Sequence, residues 1–187
     1  SFEVLDNSKS IKNKDLFFAM SHGVHRGVLK EGKLDGREKF LKKLLNKMSD
    51  IDFDIHGMNS IQPIWGDNFI QKLTNYNMGL NLSRGEPIKY YSSDRITQII
   101  GNGLVTLIDE KTGYRDFFND NEMVFYKNVD DLAEKIIKIS QDEKLRRKIG
   151  KRGREKYLKD FNSTLVADFI VKKTFDIKNK QRFAWEK

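Results

Sequence analysis

The sequence predicts an α/β domain: a parallel sheet of about five to six strands with helices on both faces. Three observations point there. Short apolar runs alternate with longer amphipathic ones, the apolar runs have the length of strands, and each ends in a polar or glycine-containing connection. A chain of 187 residues, 38 % apolar and 11 % aromatic, suffices for one substantial core.

Residues 15–20, DLFFAM, read as the first strand, running into the loop SHGVHRG. Asp35 followed by Glu38 makes a capping-box start for a helix in which Phe40, Leu41, Leu44, Leu45 and Met48 recur at helical spacing. Ile51, Phe53 and Ile55 alternate with Asp52, Asp54 and His56, which predicts a strand near a sheet edge, closing at Gly57. Asp67 reads as the N-cap of the next helix, with Phe69, Ile70 and Leu73 on its apolar side. Residues 78–82 form a further strand.

The stretch YYSSDRITQIIGNG then starts a helix at Ser92 or Ser93, buries Ile96, Ile99 and Ile100, and ends tightly at Gly101 and Gly103. Residues 104–108 and 123–126 are the remaining strands. Three helices close the chain: one on Leu132, Ile136, Ile137 and Ile139, one on Leu145, Ile149 and Tyr157, and one over 163–175. The domain is thus expected over 15–176. Residues 1–14 read as a linker, with no apolar targeting core, and 177–187 as a polar tail carrying Phe183 and Trp185.

No apolar run reaches bilayer length, and the absence of cysteine removes disulfides, thiolate nucleophiles and thiolate-bound zinc together. A reducing, cytoplasmic setting is the expectation. Net charge is +8, which favours anionic partners. Much of it lies in residues 144–156, KLRRKIGKRGREK, with eight Lys/Arg against one Glu. Leu145 and Ile149 beneath the charges make this foremost a solvated helix face, and binding of nucleic acid or an anionic surface through it is the alternative. That run lacks interleaved aromatic platforms, so nucleic acid is not favoured.

Ligands of an open parallel sheet bind beyond the carboxyl ends of its strands, here the loops 21–27, 57–66, 83–93 and 109–116. The first offers His22, His25 and Arg26 between Gly23 and Gly27, an arrangement able to approach a phosphate but without P-loop spacing. His22 and His25 lack a third ligand, and Asp50, Asp52 and Asp54 read as the solvent side of a strand, so no metal cofactor is expected. Ser92, Ser93 and Asp94 are N-cap residue types. The free amides and the positive dipole end they cap also attract phosphate, with Arg95 beside them.

Residues 77–139 (NMGLNLSRGEPIKYYSSDRITQIIGNGLVTLIDEKTGYRDFFNDNEMVFYKNVDDLAEKIIKI) and the following DEKLRRKIGKRGREKYLKDFNSTLVADFI resemble the C-terminal domain of GT-B glycosyltransferases, in particular the group-1-like branch related to spore-coat CgeB proteins. The helix REKFLKKL and the element PIWGDNFIQKL fall in the matching order. The resemblance implies a Rossmann-like domain, the C-terminal half of a GT-B fold, that binds a UDP- or GDP-linked sugar for transfer to a saccharide or other acceptor.

It further implies a partner N-terminal domain toward which the tail packs, a role in cell-envelope polysaccharide synthesis, and peripheral attachment to the anionic inner face of the membrane. Gly23, Arg26, Ser92, Ser93, Asp94 and Arg95 correspond to diphosphate contacts. Ile64, Trp65, Gly66 and Gln98 correspond to base or ribose contacts, and Asn81, Ser83, Arg84 and Tyr90 lie near the sugar. Tyr90 and Gln98 stand where retaining relatives place a pair of glutamates, and Thr112 to Asp116 replace a Gly-Gly loop. The catalytic residues are not assigned, and a degenerate domain serving as a scaffold is a further alternative.

Overall fold

The structure, a computed structural model, describes residues 13–20, 36–58, 61–178 and 182–186. Five strands, β1 (Lys14–Ala19), β2 (Phe53–His56), β3 (Tyr76–Asn81), β4 (Val105–Asp109) and β5 (Val124–Tyr126), pair entirely in parallel in the order β2-β1-β3-β4-β5. The helices are α1 (Arg37–Leu45), α2 (Gly66–Leu73), α3 (Asp94–Gly101), α4 (Val129–Ser140), α5 (Glu143–Asp160) and α6 (Ser163–Thr174). β2 is an edge, as its alternation predicts.

Both sheet faces are covered, which is why successive residues such as Leu16, Phe17 and Phe18 are all buried. Leu16, Phe18, Met78 and Leu80 pack with Leu41 and Leu44 of α1 and with Leu132 and Ile136 of α4. Phe17 and Tyr76 meet Phe69 and Leu73 of α2 and Ile99 of α3, while Ile108 and Phe125 meet Ile96 and Ile100. A Cβ on Gly79 would lie 2.7 Å from Ile99, so glycine lets α3 sit close to β3.

The basic helix α5 lies under the amino ends of β4 and β5. A Cβ on Gly150 would come within 2.3 Å of the Gly103 carbonyl oxygen, and one on Gly153 within 2.3 Å of that of Glu122. Two of its arginines close other helices: Arg154 donates from Nε to the Gly101 carbonyl at 2.9 Å, and Arg146 donates to the Ile139 and Ser140 carbonyls. Arg147 with Glu143, and Lys156 with Asp160, pair one turn apart. Much of the basic run is therefore a strut.

Helix starts differ from expectation. α1 begins at Arg37 with Gly36 at the N-cap and no side-chain cap bond, and Asp35 lies outside the described residues. Trp65, not Asp67, occupies the N-cap of α2, because its extended backbone is the last before the helical turn; Asp67 sits in the first turn. α6 buries none of its residues and leaves Ile170 56 % exposed, with its C-cap Phe175 71 % exposed. Phe183 and Trp185 fold onto Phe169 and Phe161. Among the described residues no helix is long and apolar enough to cross a membrane.

Candidate functional site

From β1 the chain steps first to one side, to β2, and then to the other, to β3, which opens a crevice between the carboxyl ends of β1 and β3. Arg95 straddles it. Rooted in the first turn of α3, its guanidinium donates to the Leu82 carbonyl beyond β3 at 3.2 Å and lies 5.1 Å over the Phe18 ring of β1. Arg37, the first residue of α1 and only 8 % exposed, acts on it by charge. Burial first, and Arg37 second, push the Arg95 guanidinium down to about 10, with Tyr91 opposing.

Both cations stand at the positive ends of helices, where the dipole favours an anion; Glu38 and Asp94 supply part of that charge. Neither helix start carries a side-chain cap bond. Ser93 is the N-cap residue of α3, but its hydroxyl donates to Asn81 Oδ1 at 3.0 Å and so ties the helix to the end of β3. Asn128, Asp142 and Asn162, by contrast, cap α4, α5 and α6 with their side chains. The starts of α1 and α3 thus lack the side-chain cap that the later helices carry.

The structure brings Asn81, Ser93, Asp94 and Arg95 together at this crevice. Gly23 and Arg26 lie outside the described residues. Ser92 is exposed, and it lowers the Tyr114 hydroxyl pKa against a larger upward push from burial. Ser83 is half-buried and Arg84 exposed, both beyond β3. Tyr90 adopts φ 60°, donates its hydroxyl to Asp116 and packs on Phe117 at 5.2 Å, which fixes it to the loop after β4. Gln98 is half-buried one turn below Asp94.

Ile64 and Trp65 sit apart, on the β2 side, in the wall of an open cavity of about 570 Å³. Gly66 starts α2 there with φ +58°. The segment 112–116 lies in two short 3-10 turns, Glu110–Thr112 and Tyr114–Asp116, joined at Gly113, whose φ of +73° and close approach to Lys89 and Tyr90 favour glycine. At the carboxyl end of β4 the Asp109 carboxylate caps Lys111 N at 2.9 Å, and burial pushes its pKa above the usual carboxylate range. Its register neighbour Tyr126 is 1 % exposed, and its hydroxyl has no hydrogen-bond partner among the described residues.

Sequence reasoning missed Arg37, His56, Asp109 and Tyr126. For Arg37 a signal existed: a basic residue opening a helix whose partner charges collect in its last turn, Lys42 and Lys43. Lys14 ion-pairs with Asp52 and Asp54, and Tyr76 donates to Asp54, so these carboxylates serve the sheet edge.

A model of the glycosyl transferase-like family matches residues 37–172, well over half of the chain. No curated protein matches it in sequence. Among solved structures, TarM aligns with a TM-score of 0.63 at 12 % identity, over 87 % of this chain and 35 % of its own. Sucrose-phosphate synthase from Thermosynechococcus elongatus aligns with 0.57 at 13 % identity, over 91 % of this chain and 47 % of its own. HepE from Anabaena, solved in complex with UDP, aligns with 0.57 at 11 % identity, over 87 % and 48 %. Identities so low speak for the fold, which is that of the C-terminal domain of GT-B glycosyltransferases. The chain spans about a third to a half of the length of these proteins.

Proposed function

We propose, on the premise that the chain belongs to the glycosyl transferase-like family, that it is the donor-binding half of a glycosyltransferase and holds a nucleoside-diphosphate sugar across the carboxyl ends of β1 and β3. The family is broader than the CgeB-related branch that the sequence resembles. What supports the reading is the convergence of Arg37 and Arg95 at helix starts without side-chain caps. A diphosphate bridging them relieves their mutual repulsion and meets the positive ends of both helix dipoles.

As the glycosidic bond breaks, the leaving diphosphate gains charge, and fixed guanidiniums stabilise that change in place of an obligatory metal. Ser93, Asp94 and the amides around them share the contact with Arg95. In this reading Gly23 and Arg26 approach from the loop after β1, Ile64, Trp65 and Gly66 hold the base, and Gln98 meets the ribose. Asn81, Ser83, Arg84 and Tyr90 border the sugar. HepE was solved with UDP, and an S. aureus TarM variant with UDP, fondaparinux and alpha-GlcNAc-glycerol; a UDP- or GDP-linked donor and a saccharide acceptor are the corresponding partners here.

The exposed apolar side of α6 suits a partner domain that also supplies the catalytic base. We place the domain over 15–176, in a cytoplasmic protein working in cell-envelope polysaccharide synthesis at the inner face of an anionic membrane.

Calorimetric titration with UDP, GDP and their sugars tests the reading. Binding of at least one is expected. Because a charge-assisted bond contributes about 1.5–3 kcal/mol, Arg95→Lys or Arg37→Ala should weaken a nucleoside diphosphate roughly 10- to 100-fold while barely changing a nucleoside. No binding at millimolar ligand by the folded domain sinks the idea, and equal losses for nucleoside and diphosphate sink the assignment of the arginines.

A further inference from the structure

The cavity beside α2 contains a group that the diphosphate reading does not use. His56 closes β2 and is 9 % exposed, and its Nε2 is buried with no hydrogen-bond partner among the described residues. β2 is the edge strand, so no further strand among the described residues covers this side. What lies there is the cavity of about 570 Å³, with His56, Gln62, Ile64, Trp65, Asn68 and Gln71 in its walls.

The backbone at Gln62 favours the protonated ring. With the ring proton on Nδ1, Nε2 keeps a lone pair. Burial, the largest influence, and the Lys72 charge hold the ring below the usual imidazole range, against Asp54 and the Gln62 carbonyl, so it is neutral near pH 7. A buried acceptor of this kind needs an N–H or O–H donor. The rest of the wall narrows the donor's chemistry. Trp65 presents a 71 % exposed indole, a stacking face for a planar ring. The carboxamides of Gln62, Asn68 and Gln71 offer both donors and acceptors, as the edge of a heterocycle requires.

The reach also fits. His56 stands opposite Ala19 of β1, with β3 one strand further, so it lies roughly 10 Å from the Arg95 crevice at the ordinary strand spacing. A ribose bridges that gap between diphosphate and base.

We propose that His56 reads the nucleobase of the donor: its Nε2 accepts a hydrogen bond from a ring N–H of a uracil- or guanine-type base stacked on Trp65. This rests on the nucleotide-sugar reading above and adds to it a residue that sets base specificity. A base whose ring N–H is methylated keeps its stacking face and its phosphates but cannot donate to Nε2.

The test compares UDP with N3-methyl-UDP and GDP with N1-methyl-GDP, followed by calorimetry and by quenching of tryptophan emission in the wild-type chain. For the base the protein uses, methylation should weaken binding ten-fold or more, and His56→Phe should bring the methylated and unmethylated ligands within two-fold of each other. Trp65→Phe should remove most of the quenching on binding. Equal affinity for methylated and plain ligands in the wild-type chain overturns the proposal and leaves the donor reading standing. Failure of every diphosphate to bind overturns both. If His56→Phe is unfolded by circular dichroism, the wild-type methylation comparison still decides.

Discussion

The two glycines of α5 allow a stability prediction to be worked from geometry. Replacing Gly150 with Ala places a methyl carbon 2.3 Å from the Gly103 carbonyl oxygen, and Gly153→Ala places one 2.3 Å from that of Glu122. Carbon–oxygen contacts settle near 3.3–3.6 Å, so either variant drives α5 outward by about 1 Å. Overpacking of this kind costs about 1–3 kcal/mol, and the better helix propensity of Ala returns up to about 1. The net expectation for each single variant is a loss of about 1–2 kcal/mol.

Both glycines lie on one side of the helix, three residues apart, so a helix that has retreated from one carbonyl has retreated from the other. The double variant should therefore lose less than the sum of the singles, by about 0.5 kcal/mol or more. Urea unfolding of the four proteins, read as midpoint and slope, measures this. Stabilisation of both singles by about 1 kcal/mol, the propensity effect alone, would refute the close contact, and strict additivity would refute the shared retreat.

Two further outcomes are expected. Tyr126→Phe removes a buried hydroxyl that has no partner among the described residues, so the urea midpoint of the ligand-free chain should rise, by about 1 kcal/mol in stability; a drop would show the hydroxyl to be bonded. His56 has a folded pKa below its unfolded value, so between the two the unfolded chain binds more protons. Its contribution is complete above about pH 6.5 and is lost as pH falls through the folded value. Unfolding midpoints at pH 7.5 and 5.5 should show that fall in the wild-type chain and a smaller one in His56→Phe; parallel falls would contradict it.

The strands were legible because burial on both sheet faces leaves continuous apolar runs such as Leu16–Phe18, and the isoleucines of α3 showed their helical spacing openly. Caps were less so. Ser93 has the residue type of a cap, yet Asn81 takes its hydroxyl, a competition decided across 12 positions of chain. Arg95 could be placed from its own helix start, whereas Arg37 becomes significant only when the fold brings its charge to bear on Arg95. His56 and Tyr126 read as ordinary strand residues, and only the count of their hydrogen bonds marks them.

The pairing of Leu16 with Met78 joins the first strand to the third across the whole β2–α2 unit. Closing a loop of that length carries an entropy penalty that local contacts cannot repay early, so the middle of the sheet is expected to zip late in folding. The crevice lies on that seam. During synthesis the crevice cannot form until β3 and the start of α3 have left the ribosome. Any ligand held across the closed seam would slow its reopening, because it would bind the joined strands and not the separated ones.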